Sequence, residues 1–230
     1  MIFTAATVTA KQREATEWVV SYWYNADGSK LPRILLVGDS ICNGYQALVN
    51  KELAGTAYTS FYASSKCITD RTYLSQLAFM LDEYDYAVIH FNNGLHSLNT
   101  PPAEWEAGLR AAVKLIKEKS KGAQIIWASS TPLKNPDLTA KAKALNEIAE
   151  KVMNENDIPT NDIFALMDPM DRNIFWVDAY HFTDDAKKLQ AKQISDLMRN
   201  VLGKNKASKE DAKKALKAGA TETGPSGELN

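Results

Sequence analysis

Short, continuously apolar runs alternate along the chain with longer stretches in which apolar residues recur every three or four positions. The continuous runs lie at 33–37, 57–62, 86–91 and 124–128, with a weaker one near 163–166. An apolar run without polar alternation is typical of a strand that is covered on both faces. The helical patterns lie at 11–24, 46–54, 73–82, 103–119, 138–156 and 184–202. Strands that alternate with helices in this way predict a parallel sheet between two layers of helices.

The last part of the chain has a different composition. Residues 203–230 contain many lysines, no aromatic residue and few large apolar side chains. Such a segment buries little apolar surface, so we predict a polar, mobile tail. No Pro-, Gly- or Ser-rich linker interrupts residues 1–202, which we therefore predict to form a single domain.

Charge and composition narrow the classes of partner. The 27 basic and 28 acidic side chains give a net charge of −1, so nucleic acid is not an expected partner. No apolar run reaches the roughly 18–20 residues that span a bilayer. The first twenty residues lack the pattern of a signal peptide. The compartment stays open between a secreted or periplasmic protein whose signal peptide has been removed and a cytoplasmic one.

The cysteine and histidine content bears on metal binding. Two cysteines and three scattered histidines do not form a recognisable metal-site pattern, and we expect neither a metal nor another cofactor.

Polar residues follow several of the apolar runs. Ser40 follows the first run, Asn92 and Asn93 follow the third, and Asp178 and His181 precede the final helix. In an open parallel sheet, ligands bind at the carboxyl ends of the strands. A serine nucleophile needs a base that accepts its proton and a carboxylate that orients this base. The backbone amide of Ser40 and an asparagine side chain are candidate donors to the oxyanion. Together these residues predict acyl transfer at one edge of the sheet.

Two of these segments resemble the conserved blocks of the SGNH hydrolases, the GDSL esterase/lipase family. The string V-G-D-S-I with Gly44 is similar to the first block, and D-A-Y-H is similar to the last. The resemblance spans residues 33–202 and is to a divergent, carbohydrate-esterase-like branch. It implies a flavodoxin-like α/β/α sandwich with five parallel strands in the order 2-1-3-4-5. It also implies Ser40 as nucleophile, His181 as base and Asp178 as the orienting acid.

The middle blocks depart from the family pattern. The second block normally supplies a glycine amide to the oxyanion hole, and the corresponding segment here has no glycine, so the backbone of Ser65 or Lys66 is the candidate. The third block normally reads G-x-N-D. Either His96 replaces its asparagine, or Asn92 or Asn93 takes over that function. We favour an asparagine because a neutral amide donates at any pH, and we assign His96 to substrate contact.

Further predictions concern the surroundings of these blocks. In the implied strand order the loops carrying Cys42 and Cys67 are neighbours, so we expect the two sulfurs to lie close together. They are candidates for a disulfide, the alternative being two buried thiols. Trp176 and Tyr180 flank His181 and are candidate substrate contacts. His90 lies inside an apolar run and is predicted to be a buried core residue.

The leading functional hypothesis is a serine esterase that removes acyl groups, acetyl above all, from a carbohydrate through an acyl-enzyme. Its partner is then a small-molecule or oligosaccharide ester. One alternative is a short-chain lipid or aryl esterase. Another is a non-catalytic carbohydrate-binding relative with the same fold, because a fold alone does not establish a function.

Overall fold

A computed structural model describes residues 16–120 and 122–221. The strands are β1 Val19–Trp23, β2 Arg33–Gly38, β3 Tyr58–Ser64, β4 Tyr86–Phe91, β5 Gln124–Ala128 and β6 Thr160–Asn161. The helices are α1 Ser40–Glu52, α2 Tyr73–Asp82, α3 Pro102–Lys119, α4 Pro136–Asn154, α5 Ile163–Met167, α6 Arg172–Phe175 and α7 Asp184–Thr221. A short 3₁₀ helix covers Leu95–Ser97.

The strands form one six-stranded sheet in the order β1-β3-β2-β4-β5-β6. The five strands from β3 to β6 in this order run parallel, whereas β1 pairs with β3 antiparallel. The predicted three-layer fold and the predicted 2-1-3-4-5 order of the parallel strands are therefore confirmed. The sheet has one strand more than the five that were predicted.

The additional strand, β1, corrects the helix predicted at 11–24. Val19 lies opposite Ser64 and Trp23 opposite Ser60, so this segment extends the sheet beyond β3. Four of its five residues, V-V-S-Y-W, are β-branched or aromatic, and such residues favour a pleated edge strand over a helix. Residues 11–15 of the predicted helix lie outside the described residues.

A second correction concerns the weak strand predicted near 163–166. The observed strand, β6, has only two residues and lies just before this run. The apolar run itself forms the helix α5. The Asp162 side chain caps this helix by accepting a hydrogen bond from the Ala165 amide at 2.9 Å. Ile163 and Met167, four residues apart, then point into the core on one helix face.

Two apolar clusters cover the two faces of the sheet. Leu35 and Val37 of β2 pack against side chains of α2, α3 and α4. Ile34 and Leu36 point the other way and pack against α1, α5 and α7. Because side chains alternate along a strand, one continuous apolar run supplies both clusters. The layers leave the carboxyl ends of the parallel strands at one rim of the molecule.

The final helix is longer than the predicted helix at 184–202. It continues to Thr221, into the segment predicted to be a polar tail. The division into residues 1–202 and a tail stays a prediction, and residues 222–230 lie outside the described part of the chain. Among the helices of the described residues, none has an apolar stretch long enough to cross a lipid bilayer.

Candidate active site

Ser40 is the first residue of α1, at the tight turn where β2 ends. Asp39 caps the helix, because its carboxylate accepts a hydrogen bond from the Ile41 amide at 2.9 Å. A Cβ atom at Gly38 would lie 2.6 Å from Cβ of Cys42, so glycine is required for the close approach of strand and helix. The turn places the Ser40 hydroxyl at a helix N-terminus, where negative charge is stabilised.

Asp178, His181 and Ser40 form one line of hydrogen bonds. The Asp178 Oδ2 atom lies 2.8 Å from His181 Nδ1, and His181 Nε2 lies 2.9 Å from Ser40 Oγ. Because an ionised carboxylate only accepts, Nδ1 donates its proton to Asp178 and Nε2 accepts from the Ser40 hydroxyl. The arrangement makes Nε2 able to receive the Ser40 proton.

The Asp178 carboxylate is held in its ionised form. Its pKa is lowered to about 2, first by the hydrogen bond from the backbone amide of His181, then by the His181 side chain and the Tyr180 amide. These two backbone amides donate to Oδ1 at 2.7 and 2.8 Å respectively. The carboxylate therefore carries its charge at neutral pH and orients the imidazole.

The loop that carries Asp178 and His181 is held by two backbone hydrogen bonds, one that joins its ends and one at its middle. The Val177 amide donates to the His181 carbonyl at 2.9 Å, and the Lys134 amide donates to the Ala179 carbonyl at 3.1 Å. Tyr180 is 42% exposed and its ring lies 6.4 Å from the His181 ring. An exposed ring in this position is able to contact a bound molecule.

Trp176, predicted as a substrate contact, packs against other side chains. It is 3% exposed, its ring lies 4.6 Å from that of Phe182, and the Arg172 guanidinium lies 4.5 Å above it. The short antiparallel pairing of Trp176 with Phe182 turns the ring into the core beneath the loop. The sequence does not show which aromatic residue of the loop faces inward, and substrate contact by Trp176 stays a prediction.

The two asparagines predicted as oxyanion donors make hydrogen bonds within the protein. Asn92 Nδ2 donates to the Ala128 carbonyl at 2.7 Å and to Ser130 Oγ at 3.2 Å. Asn93 Nδ2 donates to the Lys66 carbonyl at 2.8 Å. Both residues are buried, so their amides join the loops that follow neighbouring strands.

Ser65, the second-block candidate, is also engaged. Its amide donates to the Trp18 carbonyl at 3.1 Å, and its hydroxyl accepts from the Trp18 amide at 3.0 Å. These bonds continue the pairing of β1 with β3. The amide of Lys66, the other second-block candidate, donates to Ser64 Oγ at 3.3 Å, and the Ser40 amide lies at the N-terminus of α1. The choice of oxyanion donor among these groups stays a prediction.

The two cysteines are free thiols, so the candidate disulfide is not formed. Cys42 packs in the cluster beneath α1, and burial raises its pKa to about 12. Cys67 lies 3.1 Å from each of three hydroxyls, those of Thr69, Ser97 and Thr100. Burial acts to raise the pKa of this second thiol, but the hydrogen bonds with the three hydroxyls outweigh burial. The net effect is a pKa below the ordinary value for cysteine. The sulfurs thus contact different groups, although their loops follow adjacent strands.

Solved structures with the same architecture identify the fold. A GDSL-like lipase from Bacteroides thetaiotaomicron has a TM-score of 0.60 at 15% identity over 73% of this chain and 88% of that one. A catalytic mutant of an acetylxylan esterase from Geobacillus stearothermophilus has a TM-score of 0.61 at 14% identity over 76% and 95%. A proposed SGNH hydrolase from Slackia heliotrinireducens has a TM-score of 0.58 at 15% identity over 74% and 100%.

The chain has the fold of the SGNH hydrolases. The resemblance read from its first and last sequence blocks is thereby confirmed at the level of the fold. No protein-family model matches the sequence, and no curated protein matches it significantly.

Trp18, beside the rim formed by the carboxyl ends of the parallel strands, is a residue that the sequence analysis does not identify. Trp18, just before β1, packs edge-on against His96, with 6.3 Å between the ring centroids. It was assigned to a helix, and only its place in the W-V-V-S-Y-W run signals a strand. Among the described side chains, those of 16–120 and 122–204, no three His, Cys, Asp or Glu residues group so as to hold a metal ion.

Proposed function

We propose that this protein is a serine esterase that hydrolyses carboxylic esters through an acyl-enzyme on Ser40. The observation that carries the proposal is the unbroken line of hydrogen bonds from Asp178 through His181 to the Ser40 hydroxyl, at 2.8 and 2.9 Å. The shared fold with lipases and esterases adds support. Nothing in this chemistry calls for a metal or another cofactor.

The reaction proceeds in two steps. His181 Nε2 takes the Ser40 proton as Oγ forms a bond to the ester carbonyl carbon, and the carbonyl oxygen becomes an oxyanion near the N-terminus of α1. The bond to the alcohol oxygen then breaks, and Nε2 returns its proton to that oxygen. Water attacks the acyl-enzyme with the same imidazole as base, which releases the acid and restores Ser40. Asp178 stabilises the imidazolium in both steps.

The substrate class we propose is an acetylated carbohydrate. Among the proteins of this fold are an acetylxylan esterase and an acetyl esterase whose structure holds an acetate ion. The exposed Tyr180 ring beside His181 suits contact with the face of a sugar ring on the alcohol side of the ester. Both observations favour a sugar as the leaving alcohol.

A second candidate is the short-chain lipid or aryl esterase. Ile174 and Val177, on the segment that leads to His181, are 64% and 63% exposed. Exposed aliphatic side chains at this position favour an apolar alcohol over a polar one. The choice between the two candidates depends on the alcohol and leaves the roles of Ser40, His181 and Asp178 unchanged.

The test is hydrolysis of p-nitrophenyl acetate by the wild-type protein and by Ser40→Ala. We expect turnover that falls by at least about 10³-fold in the variant, because the nucleophile is removed. Ser75→Ala, which alters an exposed serine of α2, is the matched control and keeps the wild-type rate. A wild-type rate no higher than that of Ser40→Ala contradicts the proposal and favours the non-catalytic carbohydrate-binding relative. Acetylated oligosaccharides and lipid esters then separate the two esterase candidates.

A further inference from the structure

The contact between Trp18 and His96 joins two distant positions of the rim. Trp18 directly precedes β1, and His96 follows β4. Strands β3 and β2 lie between β1 and β4, and three strand spacings amount to about 14 Å. The two rings nevertheless lie 6.3 Å apart. Their side chains must therefore reach toward each other across the carboxyl ends of β3 and β2, and we call this pair the aromatic arch.

The aromatic arch lies beside Ser40. Leu95, the neighbour of His96, lines the same small cavity as Asp39 and Ile41, which flank Ser40 in the sequence. Trp18 and Leu95 also pack against the apolar cluster that contains Ile41. Since β2 leads directly into Ser40, an arch that spans the end of β2 on the α1 side passes next to the hydroxyl.

The Trp18 end of the arch is anchored. Its amide and carbonyl are both bonded to Ser65, at 3.0 and 3.1 Å. The neighbouring Glu17 carboxylate lies 2.9 Å from Lys66 Nζ, and the Lys66 side chain is only 7% exposed. A partly desolvated ion pair next to the two hydrogen bonds with Ser65 restricts the movement of this segment. The arch is thus a fixed wall, which a bound ester has to fit.

The Trp18 end of the arch and His181 approach Ser40 from different sides. The loop that carries His181 is bonded to Lys134, in the segment after β5, whereas Trp18 belongs to the β1 and β3 side of the sheet. On the proposed function, His181 returns a proton to the alcohol oxygen, so the alcohol lies on the β5 side. The acyl group then points away from His181, toward the Trp18 end of the arch.

We infer that Trp18 and His96 form the wall of the acyl-binding site and restrict the enzyme to short acyl groups, with acetyl preferred. This inference rests on the proposed function. The two rings are in edge contact, and the backbone of Trp18 is bonded to Ser65, so the pair closes the path of a longer chain between β2 and β1. Each added methylene then meets the wall, and one methylene changes kcat/KM by about 10–200-fold in such pockets.

The test compares kcat/KM for p-nitrophenyl acetate and p-nitrophenyl butyrate. We expect the wild-type protein to favour acetate by at least about tenfold, and Trp18→Ala to raise the butyrate-to-acetate ratio by about tenfold. Tyr22→Ala is the matched control: it removes an aromatic residue of the same segment that is 53% exposed and far along β1. The control keeps the wild-type ratio.

Thermal unfolding shows whether Trp18→Ala is folded. If it is not, the butyrate-to-acetate ratio of His96→Ala, which opens the same wall from its other end, decides the test. A wild-type preference for butyrate, or a ratio that neither folded variant changes, overturns the inference. Absence of turnover on both esters in the wild-type protein contradicts the proposed function instead, so the two failures are distinguishable.

Discussion

At the scale of single residues, the three histidines show how environment decides the chemistry of one side-chain type. His90 is fully buried in β4, and its Nε2 accepts a hydrogen bond from Asn161 Nδ2 at 3.1 Å. Burial lowers the pKa of His90 to about 4, so this residue stays neutral. His96 is half-buried in the aromatic arch. His181 is the one placed between a carboxylate and a hydroxyl.

The lowered pKa of His90 predicts how stability depends on pH. Its pKa falls from 6.5 to about 4 on folding, so below pH 6.5 the unfolded chain binds a proton that the folded protein does not. The contribution of neutral His90 to the free energy of unfolding is complete above pH 6.5. It is lost as the pH falls toward 4, at about 1.4 kcal/mol per pH unit. The loss ceases below the folded pKa.

His90→Gln removes this titration and keeps an acceptor for Asn161. In urea unfolding between pH 7 and pH 4, we expect the free energy of unfolding of the variant to fall less steeply than that of the wild type, by a total on the order of 3 kcal/mol. Parallel curves for the two proteins would show that the buried imidazole does not resist protonation.

At the scale of elements, the predictions succeed where burial dictates the pattern and fail where it does not. Strands β2 and β4 are covered on both faces, so their apolar runs are unambiguous. Strand β1 lies at the sheet edge with Val19 and Tyr22 exposed, and its residues carry no alternation that distinguishes strand from helix. The run that became α5 is short, and its type depends on the Asp162 cap. A tertiary pairing and a capping bond decided these two elements.

Arg33 connects β1 to the rest of the sheet, at the end opposite the site. Its guanidinium donates to the carbonyls of Tyr24 and Asn25, at 3.0 and 2.6 Å. It also lies 4.2 Å from the centre of the Tyr84 ring. The side chain is thus a buried cation whose charge is balanced by carbonyl dipoles and an aromatic face.

Arg33→Lys keeps the charge and loses the planar fork that serves several carbonyls at once. We expect a decrease of about 2 kcal/mol or more in the free energy of unfolding, because charged hydrogen bonds in the interior are left unmade. Arg199→Lys, at a guanidinium on α7 that is 39% exposed and donates to Glu52, is the control and costs less than about 1 kcal/mol. Equal losses for the two variants in urea unfolding would contradict the role given to Arg33.

At the scale of the whole molecule, the rim of the parallel strands brings together residues that are distant in the chain. Ser40 and His181 are 141 positions apart and their side chains are hydrogen-bonded. The sequence was sufficient to predict this pair, because each residue stands at the end of a recognisable element and Asp178 precedes His181 by three positions. The sequence does not predict the aromatic arch, because the contact between its two rings depends on where the edge strand β1 pairs. The roles of Asn92 and Asn93 were also undecided in the sequence, because only the fold shows which carbonyls their amides meet.

The central claim is that His181 activates Ser40 as a nucleophile. The most direct measurement is the rate at which a fluorophosphonate modifies the protein, with the modified residue located by peptide mass spectrometry. The account predicts a single adduct on Ser40 in the wild-type protein and labelling at least about 100-fold slower in His181→Ala, because the general base is lost. An adduct at another residue, no adduct at all, or an equal rate in His181→Ala would contradict it.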